Sequence, residues 1–180
     1  MIASDIHGSA KFCGMMATCF ENEGAARLLL LGDLLYHGPR NDLPDLYAPK
    51  EVASILNGLK DSVLCVRGNC EAEVDQMMLD FPVLADYIAL DVGNPHLIYA
   101  THGHKFNENT PLPMKKGDIL LCGHTHIPAC SVHEDFVYLN PGSVSIPKEG
   151  SCHSYMTYED GIFLWKNIED GSVYREYSLV

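Results

Sequence analysis

The sequence is poor in positive charge. Lys and Arg together number 12 among 180 residues, against 24 Asp and Glu, which gives a formal net charge of −12. Proteins that hold a nucleic-acid backbone neutralise its phosphates with Lys and Arg, so we expect no nucleic-acid partner. A small anionic substrate stays compatible with this charge if cations bound in the site reverse the local sign.

The sequence also lacks the cysteine patterns of disulfide-rich and zinc-thiolate domains. Its seven cysteines are irregularly spaced and include no C-x-x-C pair, and Cys65 and Cys122 lie inside apolar runs. Reduced thiols in a cytosolic protein are the simplest interpretation. No apolar run approaches the ~20 residues that cross a bilayer, and no signal peptide is recognisable. We therefore expect a cytoplasmic location and no membrane partner.

Short apolar runs and helical patterns predict the fold class. The first half predicts strands and helices in alternation, at residues 2–4, 10–22, 27–31, 51–59, 62–66 and 71–79. The second half predicts strands, at residues 87–92, 96–101, 119–122, 136–139, 154–158, 162–166 and 173–178. Turn pairs such as Gly93-Asn94, Asp160-Gly161 and Asp170-Gly171 suit hairpins. We expect one α/β domain over residues 1–180, with two packed mixed β-sheets flanked by helices.

Potential metal ligands follow five of the predicted strands at their carboxyl ends. The segments are Asp5-Ile6-His7-Gly8, Gly32-Asp33, Gly68-Asn69-Cys70, His102-Gly103-His104 and Gly123-His124-Thr125-His126. Open α/β sheets bind ligands just beyond these ends, so we expect the five turns to meet at one place. Carboxylate, imidazole and amide groups suit Mn, Fe or Zn. Two such cations about 3.5–4 Å apart can clamp a phosphoryl group, and the two oxygens of Asp33 make it the natural bridge.

Each segment also has an ordinary structural interpretation. Asp5 and Asp33 suit turns or helix N-caps, and Asn69 suits a turn. His124 and His126 resemble half-buried imidazoles that follow a strand. The recurrence of such residues at five strand ends is what favours a dinuclear metal site.

In their order and spacing, the five segments resemble the calcineurin-like metallophosphoesterases, and most of all the small bacterial YfcE-type phosphodiesterases. Residues 32–41 and 140–143 look like that subgroup in particular. The resemblance implies an αββα sandwich, two divalent cations and attack on phosphorus by a hydroxide between them. Manganese is the expected metal, with Zn, Fe or Ni as alternatives. The implied ligands are Asp5, His7 and His126 for one cation, Asn69, His102 and His124 for the other, and Asp33 as the bridge.

Cys70 departs from the wider family, where His often follows Gly-Asn and assists the leaving group. A thiol with an ordinary pKa near 8.5 is a weaker hydrogen-bond donor than imidazolium. Cysteine at this position nevertheless looks typical of the YfcE-type subgroup. The candidate catalytic residues are therefore Asp33, Asn69, Cys70 and His102.

Several nearby residues keep two interpretations. His37 and Arg40 either contact a phosphate or belong to a solvated loop, and His104 lies either behind the ligands or at the surface. The segment Asn140-Pro141-Gly142-Ser143 is interpreted as a structural turn that presses on the metal-binding loops.

The leading functional hypothesis is hydrolysis of a small phosphodiester. The alternatives are a phosphomonoesterase, a nuclease of the same superfamily, and a protein-interaction scaffold like the trafficking-coat subunit that shares this fold. The full set of histidines argues against the scaffold, and the acidity argues against the nuclease. Few basic side chains lie near the motifs, which favours a diester with its single negative charge over a monoester. A homo-oligomer is compatible with the subgroup.

Overall fold

The computed structural model describes residues 1–93 and 95–179, and its strands form two mixed β-sheets. The strands are β1 (Ile2–Ala3), β2 (Leu28–Leu30), β3 (Val63–Cys65), β4 (Tyr87–Leu90), β5 (Ile98–Thr101), β6 (Asp118–Leu121), β7 (Ala129–Val132), β8 (Phe136–Asn140), β9 (Ser154–Glu159), β10 (Ile162–Asn167) and β11 (Val173–Ser178). The first sheet has the order β11-β10-β9-β1-β2-β3, and the second has the order β4-β5-β6-β8-β7. Strands β1, β2 and β3 of the first sheet are parallel, as are β5, β6 and β8 of the second.

The helices are α1 (Ala10–Asn22), α2 (Pro49–Gly58) and the single turn α3 (Glu73–Gln76), together with a 3₁₀ turn at Lys60–Ser62. Ser9 caps α1, because its hydroxyl accepts a hydrogen bond from the Phe12 amide. Pro49 begins α2, where its missing N–H costs nothing. Both helices begin directly after loops that belong to the site described below.

Side-chain alternation in β1 and β2 divides the core into two layers. Ala3, Leu28 and Leu30 pack with the buried faces of α1 and α2. Ile2 and Leu29 point the other way, into the layer between the sheets. Since both faces of these strands are buried, their sequences are continuously apolar. The predicted fold class, two packed mixed sheets flanked by helices, is confirmed.

One predicted element needs correction, and one strand was not predicted. The helix predicted at residues 71–79 extends only over Glu73–Gln76, because the Glu71 side chain turns inward to bind backbone amides. Residues Ala129–Val132 form a strand, β7, that the sequence reading missed, and it pairs antiparallel with β8. The Asp160-Gly161 turn does join β9 to β10, whereas Asn94 of the Gly93-Asn94 pair lies outside the described residues.

Candidate metal centre

Parallel strands place the five predicted segments at one edge of the sandwich. Residues 5–7, 33 and 69–70 follow strands of the first sheet, and residues 102 and 124–126 follow strands of the second sheet. The carboxyl ends of these strands meet where the two sheets face each other. All eight predicted site residues therefore lie in one cluster, whose members are Asp5, His7, Asp33, Asn69, Cys70, His102, His124 and His126.

Asp5, His7 and His126 form one half of the cluster. The Asp5 Oδ1 atom lies 3.5 Å from His7 Nε2 and 3.3 Å from His126 Nε2. The two imidazole Nε2 atoms lie 3.2 Å apart. Asp5 is fully buried, and its Oδ2 atom accepts a hydrogen bond of 3.0 Å from the His124 amide.

Asn69, His102 and His124 form the other half. The His102 Nε2 atom lies 3.1 Å from Asn69 Oδ1 and 3.2 Å from His124 Nδ1. His124 thus presents Nδ1 to the centre, where the other three histidines present Nε2. An amide oxygen and two imidazole nitrogens converge on one point.

Asp33 lies between the two halves. Its Oδ2 atom is 3.6 Å from His7 Nε2 and 3.4 Å from His102 Nε2. Its other oxygen, Oδ1, accepts a hydrogen bond of 2.9 Å from the Cys70 amide. Asp33 therefore offers one carboxylate oxygen to both halves of the cluster.

The hydrogen bonds of the imidazoles show that the cluster fits divalent cations. His7 Nδ1 lies 2.8 Å from the Tyr36 carbonyl, His102 Nδ1 lies 2.7 Å from the Leu31 carbonyl, and His126 Nδ1 lies 2.8 Å from the Ile146 carbonyl. A carbonyl only accepts, so each of these nitrogens carries a proton, and in neutral imidazole the opposite nitrogen presents a lone pair. When the imidazoles are neutral, their lone pairs face one another and the buried Asp5 Oδ1, which has no hydrogen-bond partner among the described residues. Cations would satisfy all of these atoms at once.

Electrostatics also favours positive charge at the centre. Burial is the largest single influence and lowers the pKa of His102, but Asp33, Asp5 and the Leu31 carbonyl together outweigh it and raise that pKa to about 9. Burial likewise opposes ionisation of Asp5, yet His126 and His7 lower the pKa of Asp5 well below its usual value. The carboxylates therefore remain negative and draw positive charge towards them.

The backbone around the site is strained in a consistent way. Asp5, His7, Asp33, His124 and His126 have φ values of 59°, 49°, 56°, 67° and 63°. Residues other than glycine rarely adopt this left-handed backbone conformation, and those that do cluster at functional sites. Each turn thereby aims its side chain back across the strand ends.

The residues that support the ligands were predicted only in part. The Ser143 and Ser145 hydroxyls donate hydrogen bonds of 2.8 Å and 3.0 Å to the Asp5 carbonyl. Asn140 Nδ2 donates one of 2.8 Å to the Gly123 carbonyl. The segment 140–143 is thus the structural turn that we expected, but the contribution of Ser145 carries no recognisable sequence signal.

Glu71 was placed in a helix and is instead buried beneath the site, at 5% exposure. Its carboxylate accepts hydrogen bonds from the Asp33 and Leu34 amides at 2.9 Å and 2.7 Å, and a further short one from the Gly68 amide. Burial, followed by the nearby Asp33 carboxylate, raises the pKa of Glu71 to about 7. The acidic residue directly after Gly-Asn-Cys was the one available signal.

The remaining candidates lie around the cluster. The Cys70 Sγ atom, His7 and Asp33 offer atoms within 4.8 Å of one another, and burial together with Asp33 raises the pKa of Cys70. Cys70 is therefore a protonated thiol that can donate to Asp33. The His104 and His102 ring centroids lie 5.4 Å apart, and the His37 ring packs edge-on against Tyr36 and Tyr47. Phosphate binding by Arg40, which is exposed, stays a prediction.

A cavity of about 740 Å³ lies elsewhere, beside the amino ends of β1 and β2, and its lining includes none of the eight clustered residues. Convergent ligand atoms rather than cavity size therefore identify the site. All seven cysteines are free, as expected. Within residues 1–93 and 95–179, no helix is long and apolar enough to cross a membrane.

A family model for the calcineurin-like phosphoesterase superfamily domain matches residues 1–160. The chain belongs to this superfamily. Among similar calcineurin-like phosphoesterases, Phosphodiesterase YfcE of Escherichia coli (strain K12) is 42% identical over 180 residues, which cover 99% of this chain and 97% of that protein. These matches confirm the expected family and identify the chain as a phosphoesterase.

Solved structures agree with this calcineurin-like assignment. The structure of YfcE, described as a phosphoesterase from E. coli, matches with a TM-score of 0.96 and 39% identity, covering 100% of this chain and 98% of that one. A Vps29 single mutant from Entamoeba histolytica matches with a TM-score of 0.65 and 21% identity, covering 99% and 98%. The second likeness is one of fold alone.

Proposed function

We propose that this chain hydrolyses a small phosphodiester at a centre of two divalent cations, with Mn²⁺ as the preferred metal and Zn²⁺, Fe²⁺ or Ni²⁺ as alternatives. The observation that carries the proposal is the position of Asp33. A single carboxylate oxygen lies 3.6 Å from His7 Nε2 and 3.4 Å from His102 Nε2, and so joins two groups of ligand atoms. A mononuclear site has no need of the second group.

The residues divide into two sets of ligands with one shared member. Asp5, His7 and His126 would hold one cation, and Asn69, His102 and His124 the other, with Asp33 in common. When bound, such a pair lowers the pKa of water to supply a hydroxide nucleophile and neutralises charge on the phosphoryl oxygens. The chain's own contribution is orientation, since carbonyls fix three of the four imidazoles.

The surrounding basic residues favour a diester over a monoester. Arg67 Nη2 is directed to the Glu71 carbonyl at 3.1 Å and lies 3.6 Å from Glu73. Lys105 Nζ lies 2.7 Å from Asp86. Of the three basic residues near the motifs, Arg67 and Lys105 are therefore engaged with protein oxygens, and Arg40 is the third. A diester, which carries a single negative charge, needs fewer basic contacts than a monoester. The Cys70 Sγ atom lies with His7 and Asp33 at the centre, where its thiol could protonate a leaving group.

The proposal extends to the cellular setting. A small phosphate ester as the substrate and no nucleic-acid partner agree with a net charge of −12. We also propose a cytoplasmic location, which agrees with the seven free cysteines, and no membrane partner. Association into a homo-oligomer is compatible with this proposal.

Metal exchange combined with an activity screen tests the proposed function. Purified protein would be stripped with a chelator, reloaded with Mn²⁺, Ni²⁺, Zn²⁺ or Mg²⁺, and assayed on bis(p-nitrophenyl) phosphate and p-nitrophenyl phosphate. We expect Mn²⁺-stimulated cleavage of the diester that Asp33→Ala nearly abolishes. Asp170→Ala, which removes the same charge from an exposed turn, should leave turnover unchanged. Undiminished activity in Asp33→Ala would refute the bridging role, and faster monoester cleavage would refute the diester preference.

A further inference from the structure

Glu71 is a buried carboxylate that lies beneath the site without belonging to either ligand set. It is 5% exposed, and its two oxygens accept hydrogen bonds from three backbone amides, those of Asp33, Leu34 and Gly68. The three amides form an anion-binding pocket, and the anion that occupies it is the Glu71 carboxylate. A buried carboxylate is stabilised chiefly by such bonds.

The three amides belong to two different loops. Asp33 and Leu34 follow β2, and Gly68 follows β3. One loop carries the proposed bridging ligand Asp33, and the other carries Asn69 directly after Gly68. The Glu71 carboxylate therefore connects the two loops by hydrogen bonds. These loops carry Asp33 and Asn69, whose side chains must be correctly placed relative to each other to hold a pair of cations.

The local geometry leaves little freedom for another arrangement. Asp33 has a φ of 56°, a strained conformation that persists only when its surroundings fix it. Any side chain at position 68 would collide with Asp33 and with the Glu71 carboxylate. The backbones of the two loops are thus in direct contact with the Glu71 carboxylate.

We propose that Glu71 is a positioning residue that sets the Asp33-to-Asn69 geometry and thereby the metal affinity of the site. The inference rests on the proposed dinuclear function and adds a determinant outside the seven ligands. Supporting residues of this kind typically change metal affinity by about 10–100-fold.

Two substitutions separate geometry from charge. Glu71→Gln keeps the length of the side chain but replaces one acceptor oxygen with an NH₂ group, which would face a backbone amide donor. Glu71→Asp keeps the charge but is one methylene shorter, so it cannot reach all three amides. If the geometry of the three hydrogen bonds is what matters, both variants should lose Mn²⁺ affinity.

Asp118 supplies a matched control. It is 2% exposed, and its carboxylate accepts hydrogen bonds from the Leu97 amide at 2.9 Å and the Lys115 amide at 2.8 Å. It begins β6, whereas the ligands His124 and His126 follow the opposite end of that strand. Asp118→Asn therefore introduces the same kind of defect away from the site.

Calorimetric titration of metal-free protein with MnCl₂ gives the decisive measurement, with thermal unfolding of the metal-free variants and the kcat and KM of the loaded enzymes alongside. We expect Mn²⁺ affinity to fall about 10–100-fold in both Glu71 variants and to stay within about threefold of wild type in Asp118→Asn, although both positions lower the melting temperature. At saturating Mn²⁺, kcat should fall in the Glu71 variants with little change in KM.

The outcomes distinguish this inference from the proposed function. Wild-type protein that binds no Mn²⁺ would overturn the proposed function and this inference with it. Wild-type affinity in Glu71→Gln would overturn the positioning role alone. Full recovery in Glu71→Asp would show that charge matters rather than geometry, and an equal loss in Asp118→Asn would reduce the effect to general destabilisation. If Glu71→Gln does not fold, Glu71→Asp decides between retained and lost affinity.

Discussion

Five of the clustered residues hold a left-handed backbone conformation, at a cost of order 1–3 kcal/mol each. Local hydrogen bonds offset part of that cost. The Asp5 carbonyl accepts from the Ser143 and Ser145 hydroxyls, and the His7 and Gly8 amides donate to the Asp33 and Leu34 carbonyls at 2.9 Å and 2.8 Å. The ligands are therefore positioned before any cation binds, which keeps the entropic cost of binding low.

His126 and His104 provide a comparison between a proposed ligand and a neighbour. His126 Nε2 lies 3.3 Å from Asp5 Oδ1, whereas His104 belongs to none of the groups of converging ligand atoms among the described residues. We expect His126→Ala to lower Mn²⁺ affinity at least tenfold, because one cation loses a ligand, and His104→Ala to change it less than threefold. Calorimetric titration measures both. Equal losses in the two variants would show that His104 is also a ligand.

Among the elements, the carboxyl end of β8 fixes the loop that carries His124 and His126. Asn140 is buried, and its Nδ2 atom donates to the Gly123 carbonyl at 2.8 Å and to the Thr125 hydroxyl at 3.1 Å. Its Oδ1 atom accepts from the Gly142 amide at 2.8 Å. One amide side chain thus uses its donor and its acceptor to join two strand ends.

Asn140→Asp should destabilise the protein and displace the two histidines. The carboxylate keeps the bond from the Gly142 amide but turns an acceptor towards the Gly123 carbonyl, and an unsatisfied buried carbonyl costs about 1–3 kcal/mol. We expect a corresponding loss in the free energy of unfolding and a weakened Mn²⁺ titration. Asn167→Asp is the control, because Asn167 ends β10 and its Oδ1 accepts an exposed hydrogen bond from the Glu169 amide, which Asp can also accept. Wild-type stability in Asn140→Asp would contradict this role.

The sequence predicted the elements that repeat a simple pattern and missed those decided by a single contact. Buried strands such as β2 and β6 appear as apolar runs, and the motifs at their ends were placed correctly in the cluster. The strand β7 (Ala129–Val132) was missed because its sequence, Ala-Cys-Ser-Val, is neither an apolar run nor rich in β-branched and aromatic residues, and its pairing with β8 decides its conformation. The helix at residues 71–79 was overextended because no local pattern reveals that the Glu71 carboxylate binds amides 37 and 38 residues away.

For the whole molecule, the proposed ligands come from both sheets. Asp5, His7, Asp33 and Asn69 follow strands of the first sheet, and His102, His124 and His126 follow strands of the second. Bound cations would therefore cross-link the two halves of the sandwich at one edge. They would also relieve the repulsion among acidic groups in a chain with a net charge of −12.

Mn²⁺ should accordingly raise the melting temperature, because cations that bind the folded state alone stabilise it. At a free Mn²⁺ concentration of 100 times Kd, one site contributes about 2.7 kcal/mol, and a chain of this size gains about 2–4 °C per kcal/mol. Thermal unfolding with Mn²⁺ and with excess chelator, at constant ionic strength, measures the shift. Asp33→Ala removes the ligand shared by both cations and should lose most of it, whereas Asp170→Ala should keep it. A shift of equal size in Asp33→Ala would mean that Mn²⁺ stabilises the protein somewhere other than between the two sheets.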